Sequence, residues 1–196
     1  MRAIIGIGNP GESYRFNRHN IGFNVADFIA EEWNQDFNKT GDNYIYTKGE
    51  LDDSPFIIAK PTTFMNISGK AVKKVMSDNG LKHEDILIIH DEVNLALGIC
   101  KLKLGGGDGG HNGVASIIYE LISDKFARIR VGIGNNFVPG RMANYVLSDF
   151  KKTEFELITA SYDYCIRIAE TFIRGGVKKM LDFNSALQQN KNNPII

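Results

Sequence analysis

The sequence predicts a three-layer α/β sandwich: a mixed, mostly parallel, twisted sheet flanked by helices. Three observations point there. Short apolar runs alternate with amphipathic helical stretches, the pattern that builds a sheet with helices packed on it. Residues 85–90 (Asp-Ile-Leu-Ile-Ile-His) are apolar without alternation, as strands covered on both faces are. The 196 residues are 43% hydrophobic and 23% charged, with no repeat and no domain-sized linker, which suits one domain with a sizeable core. Residues 1–187 are therefore expected to form a single α/β domain, and the polar tail 188–196 to fray.

Residues 2–7 form an apolar run ending in glycine and read as a buried strand. From Asn20, an N-cap candidate, Ile21, Val25, Phe28 and Ile29 keep helical spacing. Residues 44–49 and 55–60 read as strands joined by a turn through Asp52-Asp53-Ser54-Pro55. A helix is expected over 66–79, with Asn66 as its cap and Gly80 closing it. Strand 85–90 follows, then 99–104, where Ile99, Lys101 and Lys103 alternate with Cys100, Leu102 and Leu104. A helix over 114–122, a strand over 127–133, a long amphipathic helix over about 153–173 and a shorter one ending near Leu187 complete the order.

Ligands of such folds gather on loops leaving the carboxyl ends of strands. Loops 8–20, 91–98, 105–112 and 60–66 all leave strand ends and should converge on one site.

The formal net charge is zero, which at first argues against a nucleic-acid partner, yet the charges are not evenly spread. Residues 31–53 carry seven acids against Lys39 and Lys48, while basic residues collect near the glycine-rich and histidine-bearing segments. A neutral protein with one basic face can still bind phosphates, although scattered solvated charges give the same total. No apolar run approaches membrane-spanning length. The opening Met1-Arg2-Ala3-Ile4-Ile5 enters a strand at once, so no targeting segment is expected. Cys100 and Cys165 form no metal or redox spacing, so a reducing, cytoplasmic setting is expected.

Gly105-Gly106-Gly107-Asp108-Gly109-Gly110-His111-Asn112-Gly113 is the most distinctive stretch. A flexible linker would be Ser-rich and would lack an imidazole; a binding loop explains the run better. Gly6-Ile7-Gly8-Asn9-Pro10-Gly11 matches the dinucleotide fingerprint, but Pro10 and the polar residues 12–19 delay the helix that should meet a pyrophosphate. His19 precedes a helix start and Asp91 follows a buried strand. Such a pair, with no nucleophile elbow nearby, suits general-base activation of water, whereas the plainer role for His19 is a helix cap. His90, Asp91 and His111 could join His19 as metal ligands, but no pair has a strong metal spacing. Phe64 and Met65, if exposed, would offer an apolar wall for a substrate.

Taken together, these segments resemble the bacterial-type peptidyl-tRNA hydrolase family over most of residues 1–183. The matching pieces are Gly6–Gly11 with Tyr14, Arg18-His19-Asn20-Ile21-Gly22-Phe23, Lys60–Gly69, His90-Asp91-Glu92, Lys103–Gly113 and Arg130-Val131-Gly132-Ile133-Gly134. The resemblance implies hydrolysis of the ester joining a peptide to the terminal adenosine of tRNA, by a monomer using neither metal nor cofactor. It implies His19 as general base and Asp91 as its hydrogen-bonded partner. Asn9, Asn66 and Asn112 would line the substrate groove, with Tyr14, Met65 and His111 beside them. Lys103 and Arg130 would grip a tRNA phosphate at the acceptor end, Arg128 lying close to Arg130 in sequence. Asn17, Asn94 and Ala96 depart from the family's usual Thr, Asp and Pro. Two other functions remain in view: a non-catalytic RNA-binding homologue such as a splicing factor, and a dinucleotide-binding oxidoreductase.

Overall fold

A computed structural model describes residues 1–192. One sheet organises it, built from β1 (Arg2–Gly6), β2 (Lys39–Gly41), β3 (Tyr44–Leu51), β4 (Ser54–Pro61), β5 (Ile86–Glu92), β6 (Cys100–Leu104) and β7 (Ala127–Gly132). The strand order is β2-β3-β4-β1-β5-β7-β6. The central strands β4, β1, β5 and β7 pair in parallel, and antiparallel pairs close both edges. Parallel pairing sits in the middle because those strands are reached through helical crossovers, which cover the faces.

The helices are α1 (Ile21–Glu32), α2 (Ser68–Asn79), α3 (Asn112–Leu121), α4 (Met142–Val146), α5 (Lys152–Thr159) and α6 (Tyr162–Asn192). Successive strand residues point to opposite faces, so a continuous apolar run feeds two cores. Ile4, Ile58, Leu87, Ile89, Ile129 and Val131 pack with α1 and α6 on one face. Ala3, Ile5, Ile57, Ala59, Ile86 and Ile88 pack with α2 and α3 on the other.

Glycine sets how low α1 sits on the sheet. A Cβ on Gly22 would lie 2.4 Å from the carbonyl oxygens of Ile7 and Ile89, and one on Gly6 would lie 2.1 Å from the Gly22 oxygen. A Cβ on Gly8 would meet the Phe23 ring at 2.7 Å. Gly6 and Gly8 of the apparent dinucleotide fingerprint thus serve helix-on-strand packing, which brings the turn before α1 down to the ends of β1 and β5.

Several boundaries differ from expectation. Asn20 and Asn66 make no helix-capping side-chain bond: α1 follows a 3₁₀ turn at Arg18–Asn20, and α2 starts at Ser68 after a 3₁₀ turn at Met65–Ile67. Helix α3 begins two residues early at Asn112, with Ile122 closing it in the left-handed region (φ 51°). Strand β2 and helix α4 were not foreseen. The C-terminal helices divide at residues 160–161, and α6 is kinked at Gly176 (φ 70°). The Ile173 carbonyl beside that kink accepts a hydrogen bond from Arg2 Nη1 at 2.5 Å. Helix α6 continues to Asn192, past the expected end near Leu187; of the tail expected to fray, residues 193–196 lie outside the described residues.

Candidate active site

Asn9 follows β1 and is buried with Asn20, whose side chain grips its backbone twice. Asn20 Nδ2 donates to the Asn9 carbonyl at 2.9 Å, and the Asn9 N–H donates to Asn20 Oδ1 at 2.8 Å. The Met65 N–H donates to Asn9 Oδ1 at 2.8 Å, so that amide has one orientation: oxygen toward the 3₁₀ turn after β4, Nδ2 left as a donor.

The turn Arg18–Asn20 presents His19 to the end of β5, where Asp91 is only 2% exposed. His19 Nδ1 lies 2.7 Å from Asp91 Oδ1, and His111 Nε2 lies 2.8 Å from the same oxygen. His111 is the N-cap of α3, and its Nδ1 accepts from the N–H groups of Gly113 (3.1 Å) and Val114 (3.3 Å). An imidazole nitrogen that accepts carries no proton, so the His111 proton is on Nε2 and is donated to Asp91. His19 donates its Nδ1 proton to the same carboxylate, leaving the lone pair on Nε2. Burial alone would push the Asp91 carboxyl up, but the two imidazoles beside it, His111 and His19, and the hydrogen bonds they donate outweigh it and hold it well below the usual carboxylate range.

His19, Asp91 and His111 also have ligand atoms within 4.8 Å of one another, the one such group among the described residues. A metal on His111 Nε2 would require the proton on Nδ1, against two backbone N–H groups aimed at it. The hydrogen bonds therefore describe a proton network and fit a metal poorly. His90 stands apart from that group, its Nδ1 donating to the Asp91 carbonyl at 2.7 Å.

A cavity of about 270 Å³ opens over this centre, lined by Asn9, His19, Met65, Asn66, Asp91, His111 and Asn112. All four loops expected to converge contribute to it. Tyr14, Lys103 and Arg130 do not. Tyr14 stacks edge-to-face on Phe64 at 6.3 Å, and Phe64 is 53% exposed. Met65 is 4% exposed, a correction to the exposed pair expected: Gly113 lets α3 come so close that a Cβ there would lie 2.4 Å from Met65 Sδ.

Lys103 sits opposite Arg128, and Lys101 opposite Arg130, in the β6–β7 pair. Cross-strand partners and residues two apart share a face, so all four stand on one side of the sheet. Arg128 is 1% exposed and donates to the carbonyls of Gly105, Gly106 (2.6 Å) and Gly107 (3.0 Å), which makes it the strut of the glycine loop. Arg130 is partly exposed and pairs with Glu92 at 3.3 Å. Asn94 donates to Glu92 Oε1 from its side chain (2.8 Å) and its backbone (3.0 Å), bracing the loop after β5.

The proteins that this chain resembles can now be set beside this geometry. The peptidyl-tRNA hydrolase family model matches residues 3–193. The chain belongs to the peptidyl-tRNA hydrolase family. A peptidyl-tRNA hydrolase of Clostridium botulinum (strain Eklund 17B / Type B) is 37% identical over 191 residues, covering 97% of this chain and 99% of the relative. One of Thermodesulfovibrio yellowstonii is 40% identical over 189 residues, covering 95% and 100%. The crystal structure of the peptidyl-tRNA hydrolase from Acinetobacter baumannii superposes with a TM-score of 0.82 at 31% identity, covering 89% of each chain.

In this peptidyl-tRNA hydrolase family member, sequence reasoning missed one wall of the cavity. Met142, Ala143, Val146 and Leu147, on and just after α4, face it together with Val93. Arg18 holds that wall. It donates to the Ser148 hydroxyl (2.9 Å), the Ser148 and Asp149 carbonyls and the Glu154 carboxylate (2.7 Å), and lies against the rings of Tyr145 (4.6 Å) and Phe150 (5.1 Å). Asn17 donates to Asp149 at 2.6 Å, so the departure at that position has a partner on the same wall. The i, i+3, i+4 spacing of Ala143, Val146 and Leu147 was the available signal.

Proposed function

We propose that the chain hydrolyses the ester between a peptide and the 3′-terminal adenosine of tRNA, with His19 as general base and Asp91 orienting it. Family membership supports the reaction. The observation that carries the mechanism is the shared Asp91 oxygen. It accepts hydrogen bonds from His19 Nδ1 and His111 Nε2 while His111 Nδ1 is occupied by backbone, so His19 Nε2 is the free imidazole lone pair at the cavity.

His19 Nε2 takes a proton from water as the water oxygen bonds to the ester carbonyl carbon. The resulting imidazolium is stabilised by the ionised Asp91. Negative charge develops on the carbonyl oxygen, and Asn9 Nδ2 is the pre-oriented donor toward it, because Oδ1 is held by Met65. As the carbonyl re-forms, the bond to the adenosine oxygen breaks, and the imidazolium returns its proton to that oxygen. Free peptide acid and tRNA leave.

Asn66 and Asn112 offer amides that both donate and accept, suited to a peptide backbone of any sequence. Met65, Met142, Val146 and Leu147 offer an apolar surface for its side chains. Lys103 and Arg130, with Tyr14 toward the rim, are assigned to the acceptor end of the tRNA; the burial of Arg128 under the glycine loop favours Arg130 as the phosphate partner. A monomeric state stays part of the proposal. No helix among the described residues is long and apolar enough to cross a membrane, and a cytoplasmic location stays part of the proposal.

His19→Ala should lower kcat/KM for peptidyl-tRNA by at least about a hundredfold, the usual scale of general-base catalysis, with an unchanged circular dichroism spectrum. A folded, fully active variant would overturn the mechanism. His111→Ala should cost less, since its nitrogens are occupied by Asp91 and by the start of α3.

A further inference from the structure

We propose that Cys100 and Cys165 form a reversible, oxidant-made disulfide that ties the edge strand β6 to helix α6. Their sulfur atoms lie 3.7 Å apart, although the residues are 65 positions apart in sequence. The pair stands on the face of β6 that packs against α6, with Cys165 fully buried and Cys100 half-buried. Cys100 Sγ also reaches the Ser161 carbonyl at 3.9 Å, at the turn that starts α6. Closing the bond requires the sulfurs to approach by roughly 1.7 Å, to about 2.05 Å. Among the described residues strand β6 is the edge strand, paired with β7 alone, so fewer ladder bonds resist its small displacement.

The difference in exposure fixes the order of events. Cys100, the accessible partner, loses its proton to solvent and attacks a hydroperoxide. The O–O bond breaks, an alcohol (or water) leaves, and Cys100 becomes a sulfenic acid, two electrons having passed from sulfur to peroxide. Cys165 then attacks the Cys100 sulfur. The S–S bond forms, the S–O bond breaks, and the departing hydroxide takes the Cys165 proton as water. Two thiols and one hydroperoxide give one disulfide, one alcohol and one water. The hydrogen bond with Cys100 and burial hold the Cys165 thiol protonated at rest, so Cys100 is the sulfur that meets the oxidant and Cys165 gives up its proton only as it attacks.

The tie reinforces the strand that carries Lys101 and Lys103 without touching them, because they project from its other face. Oxidation should therefore leave ester hydrolysis intact and make the protein harder to unfold, since it closes a long loop in the unfolded chain.

The test is hydrogen peroxide or oxidised glutathione added to the folded, full-length protein. The intact mass should fall by two hydrogens per chain, a peptide pair containing Cys100 and Cys165 should appear on digestion, and dithiothreitol should reverse both. Tm should rise by about 5–10 °C, on the scale expected for closing a loop of this length, with kcat/KM within twofold. Cys100→Ser and Cys165→Ser should each abolish the mass change. Two alkylatable thiols after oxidation, disulfide-linked dimers only, or oxygen addition at Cys100 without cross-linking would overturn the proposal. The readout is a covalent bond, so it stands or falls independently of the catalytic mechanism.

Discussion

His90 shows how a buried side chain beside the reacting centre sets stability without taking part in the reaction. Burial first, and then the neighbouring His111, hold its imidazole neutral and its pKa well below the usual value. Its Nδ1 donates to the Asp91 carbonyl, and its Nε2 is buried with no hydrogen-bond partner. The unfolded chain therefore takes up this proton first. Stability is complete above the unfolded pKa near ~6.5 and falls as pH drops below it, by up to about 1.4 kcal/mol per pH unit. Asp91, whose pKa is lowered, acts in the same direction, but only from the ordinary carboxylate range near ~3.9 downward. Urea midpoints should thus decline between pH 6.5 and 5, and His90→Asn should remove most of that decline. An unaltered decline in the variant would place its origin elsewhere. At this scale the sequence was partly legible. It paired His19 with Asp91, but gave Asn20 to a helix cap. The side chain grips Asn9 instead, a demand created by a strand end eleven residues earlier and invisible to local capping rules.

The glycine loop behaves as an element because Arg128 holds three of its carbonyls from beneath. Each hydrogen bond to a charged group contributes about 1.5–3 kcal/mol, and the loop leads directly to His111 and Asn112. Arg128→Ala should lower unfolding free energy by about 3 kcal/mol, raise KM, and open residues 105–110 to limited proteolysis. Unchanged protease resistance would show that the loop is held by its own turns. Strand alternation puts Arg128 and Arg130 on one face, so their different burial could not be read from spacing: it follows from where the loop folds over the strand. Helix α4 escaped for a related reason. Its apolar residues look like any short amphipathic stretch, and what marks them is Arg18, buried some 130 residues earlier with its acceptors at Ser148, Asp149 and Glu154. A dependence of that range has no local signature.

Across the whole molecule, the strand order turns a sequence-level charge imbalance into a spatial one. The acidic segment 31–53 runs through β2 and β3 at one edge, while Lys101, Lys103 and Arg130 stand at the opposite edge on β6 and β7. A net charge of zero therefore hides an uneven distribution of charge across the sheet. If Lys103 and Arg130 meet phosphates, Lys103→Ala and Arg130→Ala should each raise KM and flatten the log–log dependence of binding on salt by about 0.7–0.9. Salt slopes that stay unchanged would move the RNA contact to another face. The α/β class, the two-sided burial of β5 and the convergence of four loops were all legible, because they rest on periodicity and on chain direction.

One oxygen of Asp91 serves two imidazoles, and this limits how many charges the centre can carry. His111 has no vacant nitrogen, so an incoming proton has one place to go, the far side of His19. In the proposed mechanism, once it is there the centre is full, and no second water is activated until the alcohol has carried that proton away. Each cleavage must close its own cycle before the next begins.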